Sequence, residues 1–371
     1  MGLESPNLVT NSPPSLLATM VQSSTYGRQP NSYESARTEV AYLEAETPPK
    51  LLVVIHTEEE FDWSAPFDRS AVATSHIHAI QPMHELLVSK GAKPTYLLDY
   101  PVASQYRSVS IVRQLLLDKG TTIGAHLHPW VLPPYEEEVS LYNSYAGNLP
   151  EYLERAKITI LSKQIEESFG IRPNVYLAGR YGYGQNTGRI LSDLGYEIDV
   201  SPVPSSNYSA EGGPDYSHYN CHPFWTPDRE LLRIPHTSAE VGFLCQGGTS
   251  HYRIEENSIL ATLRVPSLLS HIGGVRRLRL SPEGFSLRDM CRLTKALLLD
   301  GVRVFLLSFH SPSLEAGHTP YVHSKADANR LKGVVKDYLS FFRDEIGGVF
   351  CAPHEIRTAL MGFKPALQSI G

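Results

Sequence analysis

Leu51-Leu52-Val53-Val54-Ile55, running directly into His56-Thr57-Glu58-Glu59-Glu60-Phe61-Asp62-Trp63, is the stretch that decides the fold. A short unbroken apolar run reads as a strand buried on both faces, the kind found inside a parallel sheet. Working outward, residues 78–90 carry a helical pattern ending at Gly91, and Pro94-Thr95-Tyr96-Leu97-Leu98 reads as the next strand. The alternation continues with a helix over 107–119, a strand over 121–126, a long loop to about 149, and a helix over 150–169. A strand over 173–178, a helix over 186–194 and a strand over 196–200 follow. Residues 201–230 are rich in Ser, Pro, Tyr and Gly. Beyond them the pattern predicts a strand over 231–235, an irregular stretch, a helix over 285–300, a strand over 302–308 and a helix over 325–344. Val349-Phe350-Cys351 closes the set. About seven such units predict an α/β fold, a parallel sheet with helices outside, curled into a closed or nearly closed barrel.

Residues 1–48 are rich in Ser, Pro, Asn, Thr and Glu without apolar periodicity, which predicts a flexible N-terminal tail. One domain is then expected over 49–360, with a C-terminal tail over 361–371. The net charge of −6 and scattered Lys and Arg exclude the basic footprint of a nucleic-acid binder. Cys221, Cys245, Cys291 and Cys351 lie far apart with no Cys-x-x-Cys pair, arguing against a cysteine zinc site and a disulfide framework. No apolar run is long enough to span a bilayer, and the first thirty residues lack a basic start followed by an apolar core. The expectation is a reduced, soluble, cytoplasmic chain.

In such folds chemistry gathers where strands end. His126-Leu127-His128 places two imidazoles at i and i+2, on one face of a strand, so both can reach one ion before Pro129 stops the ladder. An acidic residue from another strand would complete three protein ligands and leave a position open. Gly179-Arg180-Tyr181-Gly182, Asp199 and His310 stand at other strand ends. Singly each has a plainer reading: a His-rich surface loop, a solvated acidic run, a turn-forming Asp, a satisfied core histidine. Their convergence on one rim favours the functional reading.

Several segments carry a family likeness. They are Thr57-Glu58-Glu59-Glu60-Phe61-Asp62-Trp63, Tyr96-Leu97-Leu98-Asp99-Tyr100-Pro101-Val102-Ala103, Gly124-Ala125-His126-Leu127-His128-Pro129-Trp130, Ala178-Gly179-Arg180-Tyr181-Gly182, and Phe309-His310-Ser311-Pro312-Ser313-Leu314 with Gly317-His318-Thr319-Pro320-Tyr321. Over about residues 50–355 the sequence resembles the polysaccharide deacetylases of the NodB-homology, carbohydrate esterase family four type, and within them the WalW-like subgroup. The resemblance implies a distorted (β/α)7-type barrel, a divalent metal, usually Zn2+, and hydrolysis of an acetamido group on a sugar or glycan. It implies that Glu58, His126 and His128 bind the metal, His56 stands at the base, His310 is the acid for the leaving amine, and Asp199 orients that histidine. The His-x-His spacing departs from the commoner i, i+4 pattern of the wider family, where the second histidine would fall at Trp130.

Two further departures concern the base. The subgroup has Asp where this chain has His56, and Arg where it has Leu177. Three roles for His56 follow: the base itself, an additional metal ligand, or a mark of lost activity. Backbone N–H groups near Gly179 to Tyr181 would serve the oxyanion, and Arg180, Tyr181, Trp63, Trp130 and Trp225 would suit a sugar-binding rim. The expected activity is metal-dependent deacetylation of an N-acetylated sugar or glycan precursor. A catalytically impaired homologue that binds a glycan or protein partner, and a hydrolase of non-sugar amides, are the alternatives.

Overall fold

In a computed structural model of the chain, residues 39–242 and 276–362 are described. Those parts of the expected N-terminal tail, irregular stretch and C-terminal tail that fall on 1–38, 243–275 and 363–371 lie outside the described residues. The strands are β1 Glu39–Val40, β2 Lys50–Thr57, β3 Pro94–Leu98, β4 Thr122–Leu127, β5 Val175–Ala178, β6 Ile198–Asp199, β7 Phe224–Trp225, β8 Leu232–Arg233, β9 Ser238–Val241, β10 Arg276–Arg279, β11 Val304–His310 and β12 Val349–Phe350. The helices are α1 Ile80–Ser89, α2 Tyr100–Ser104, α3 Tyr106–Leu115, α4 Glu151–Phe169, α5 Thr187–Asp193, α6 Leu287–Leu299, α7 Lys325–Asp344 and α8 Pro353–Met361.

The order β1-β7-β8-β6-β5-β4-β3-β2-β11 makes one sheet, with β12 also paired to β2. From β11 through β2, β3, β4, β5 and β6 to β8, every pairing is parallel. That is the expected βα fold. Among the described residues the barrel does not close by strand pairing, which is the nearly closed form of the expectation. Between β8 and β11 the wall is carried by the antiparallel pair β9 and β10. Ser308 N–H donates to Leu280 O at 3.2 Å, and Leu306 N–H donates to the Thr237 hydroxyl at 2.8 Å, tying this pair to β11. The fold also begins before residue 49. Glu39 and Val40 pair with Trp225 and Phe224, so the segment from 39 onward belongs to the sheet edge rather than to a tail.

Alternation along the strands divides the core in two. Leu51, Val53 and Ile55 of β2 pack outward with Ile80, Met83 and Leu87 of α1 and with residues of the other helices. Leu52, Val54, Leu97, Leu177, Ile198, Leu232, Val304 and Leu306 fill the other side of the sheet, the barrel interior. Burying each aliphatic side chain is worth about 1.5–3 kcal/mol, which fixes the register, since a one-residue slip would exchange the two faces. The interior row of β2 continues through His56 to Glu58, that of β11 through Ser308 to His310, and that of β4 through His126 to His128. No helix among the described residues is long and apolar enough to cross a membrane.

Candidate metal centre and active site

Above the last apolar layer of the interior the strand ends supply Glu58, His126 and His128, all at most 4 % exposed. His126 Nε2 lies 3.0 Å from Glu58 Oε2, and His128 Nε2 lies 3.7 Å from the same oxygen. The far side of each ring is tied to an acceptor. His126 Nδ1 is 3.2 Å from Leu177 O, and His128 Nδ1 is 2.7 Å from Glu59 Oε2. A carbonyl oxygen can only accept, so the hydrogen of neutral His126 resides on Nδ1 and its Nε2 lone pair faces a carboxylate oxygen. Two acceptors at that separation can be bridged by a cation, either a proton or a metal ion. Burial holds both histidines below their ordinary value. Burial alone would raise Glu58, but the His310 charge and the close approach of His126 and His128 outweigh it and hold the carboxyl at about 2. Two imidazole nitrogens and an ionised carboxylate within ligand reach of one point fit a divalent ion such as Zn2+.

Glu59 has a role that strand alternation does not predict. Leaving the ladder, it turns to His128 Nδ1 and also accepts from the Trp130 indole N–H at 2.9 Å. Burial, with the Glu58 carboxylate adding to it, pushes Glu59 up to about 8. Trp130 stacks on His128 with ring centroids 4.4 Å apart and is 2 % exposed. It therefore braces His128 and is no exposed sugar platform. Glu60 turns away to His76 Nδ1 at 2.9 Å, beside His318.

His56 is 2 % exposed, and its Nε2 has no partner. Its ring centroid lies 4.5 Å from that of His310, 5.3 Å from His126 and 5.6 Å from His236. Burial, reinforced by these neighbours, lowers it well below the ordinary histidine value. His310 is opposite in behaviour. Burial would lower it, but Glu283 and Glu58 hold it above the ordinary value. The carboxylate on His310 Nδ1 is Glu283, at 2.8 Å, which also accepts from the His310 backbone N–H at 3.1 Å and from the Ser313 hydroxyl.

Asp199, expected beside His310, is elsewhere. It accepts from Arg233 Nε at 2.9 Å and from the Ser201 backbone N–H at 3.0 Å. The reason is parity: Ile198 and Val200 face the interior, so Asp199 between them faces out. Trp225 is 1 % exposed in β7 and packs in the interior cluster near the sheet edge, away from the histidines. Arg180 and Tyr181 both have positive φ, 51° and 61°. The Arg180 guanidinium lies over the Tyr145 ring and binds Ser144 and Glu211 at the rim, while the Tyr181 hydroxyl accepts from Arg279. Trp63 is exposed, with its ring centroid 5.1 Å from that of His310, and forms one wall above it with Tyr321.

Glu283, Arg279 and His236 are pocket residues that the sequence reading missed. His236 directly follows Ile234-Pro235 after the predicted strand over 231–235, so the strand-end rule would have found it. Glu283 and Arg279 came from a stretch with no readable pattern.

No family model matches the sequence, and no curated protein matches it. Solved structures do. An allantoinase, PuuE, superposes with a TM-score of 0.52 at 14% identity over 92% of this chain and 100% of its own. A Mycobacterium smegmatis protein assigned as a polysaccharide deacetylase superposes with a TM-score of 0.50 at 14% identity over 89% of this chain and 99% of its own. The chain thus has the fold of the polysaccharide deacetylases, the NodB-type barrel.

Proposed function

We propose that this chain is a metal-dependent hydrolase that releases acetate from an N-acetylated sugar or glycan precursor. The observation that carries the reading is the pair of imidazoles whose Nδ1 atoms are tied to Leu177 O and Glu59, leaving both Nε2 atoms turned to one Glu58 oxygen. A divalent cation bound there would polarise the acyl carbonyl and lower the pKa of water. Zn2+ suits the donor set of two nitrogens and one oxygen.

The remaining work falls to the chain's own side chains. His310 is held by Glu283 at Nδ1, which leaves Nε2 to deliver a proton to the departing nitrogen. Glu283 is the orienting carboxylate in this reading, the part the resemblance assigned to Asp199. His56, neutral and with a free Nε2, takes the proton from the attacking water. Trp63 offers an apolar face to the sugar ring, and Arg180 stands at the rim.

A second reading has its own support. The group at the base position is a histidine buried among three other imidazoles, and a catalytically impaired homologue would keep the metal residues while losing turnover. The likeness to an allantoinase supports a non-sugar amide as the further alternative. Acetate release from chitin oligomers and N-acetylated metabolites by the zinc-loaded chain decides among them. We expect release that a chelator abolishes and that His310→Ala lowers by roughly 100-fold or more. Zinc binding with no release from any acetylated compound would establish the impaired homologue instead.

A further inference from the structure

Arg279 is the cation of this pocket that the proposed reaction does not use. It ends β10, on the segment that fills the wall between β8 and β11. Its guanidinium lies 4.8 Å over the Tyr181 ring and donates through Nη2 to the Tyr181 hydroxyl and to His236 Nδ1, the latter at 3.1 Å. Both partners are neutral acceptors. His236 is fully buried, and its ring centroid stands 5.6 Å from that of His56 and 5.1 Å from that of Tyr181. Arg279 Nε is buried with no hydrogen-bond partner; the Glu283 carboxylate acts on this guanidinium from a distance, but among the described residues no carboxylate hydrogen-bonds to it.

A part-buried guanidinium that has only neutral acceptors and a spare N–H is incompletely satisfied. The buried Arg233 provides the contrast, because it has the Asp199 carboxylate at 2.9 Å. Guanidinium N–H groups match the planar oxygens of a carboxylate better than any neutral acceptor. We propose that Arg279 is a specificity residue that receives a carboxylate carried by the N-acylated substrate. The natural substrate is then an acidic N-acyl compound, and neutral N-acetyl sugars bind less well. This rests on the proposed site, since the same pocket must take the acyl group, but it concerns recognition and not turnover.

The test is binding by the zinc-loaded full chain, read by calorimetry. The probes are N-acetylneuraminic acid, N-acetylmuramic acid and N-acetylglutamate, each beside its neutral methyl ester or esters. We expect at least one free acid to bind about tenfold or more tightly than its ester, as a charge-assisted hydrogen bond would give. That preference should vanish in Arg279→Gln and survive in part in Arg279→Lys. If no acid binds better than its ester, or if the preference persists undiminished in Arg279→Gln, the proposal is overturned. Should the Gln variant fail to fold, the acid-to-ester ratio of the native chain and of Arg279→Lys still decides. An Arg279-dependent preference without acetate release would overturn the deacetylase reading and leave this one standing.

Discussion

Among the individual residues, Glu59 best separates a metal site from a coincidence of histidines. A structural carboxylate in a solvated loop could be replaced at little cost, whereas one that holds a ligand's second nitrogen tunes the metal. Glu59→Gln is therefore expected to weaken zinc binding by roughly 10- to 100-fold, read by competition with a chromophoric chelator. Unchanged affinity would remove Glu59 from the site. The same scale shows what parity makes legible. Glu58, His126 and His310 continue interior rows whose apolar members were visible as strands, so their convergence followed from the sequence. Asp199 sits one residue out of phase with Ile198 and Val200, and counting by twos would have placed it outside. Glu59 escaped for the opposite reason. Alternation stops where the ladder stops, and a residue beyond it goes where its hydrogen bonds lead.

Between elements, the contact of β5 with β4 sets the shape of the site. A Cβ at Gly179 would meet Leu127 O at 2.4 Å and His128 Cδ2 at 2.6 Å, so only glycine lets the end of β5 pass beneath the second histidine. Gly179→Ala should cost about 1–3 kcal/mol in denaturant unfolding and lower zinc affinity together. Loss of stability with zinc affinity intact would show that His128 is not held there. A second element contact governs pH dependence. Glu154 of α4 is fully buried and accepts from the Thr187 hydroxyl of α5, and burial pushes it up to about 7. A carboxyl raised on folding contributes stability that is complete below its ordinary value and is lost as pH climbs through the raised one. The fall is on the order of 3 kcal/mol, spread from about pH 4.5 to 7. Glu154→Gln should flatten that part of the profile in thermal melts, and an unchanged profile would assign the dependence to other groups. The long helices α4 and α7 were legible because their apolar pattern repeats over many residues, and β2 because its apolar run is unbroken. The two-residue strands β1 and β7 were not, since two residues show no period.

For the molecule as a whole, the barrel wall explains where sequence reading stopped. Six parallel pairings follow from the βα repeat, but the gap between β8 and β11 is filled by β9, β10 and the turn that carries Glu283. That segment has neither helical nor clear alternating pattern, yet it supplies Arg279 and the carboxylate on His310. In the proposed site Glu58, His126 and His128 hold one divalent cation through Oε2 and the two Nε2 atoms. Anomalous diffraction from crystals of the zinc-loaded chain tests it most directly. One strong peak is expected about 2.0–2.2 Å from those three atoms, with Nδ1 of His126 still on Leu177 O and Nδ1 of His128 still on Glu59. A peak at other residues, or none at this site under saturating zinc, would contradict it.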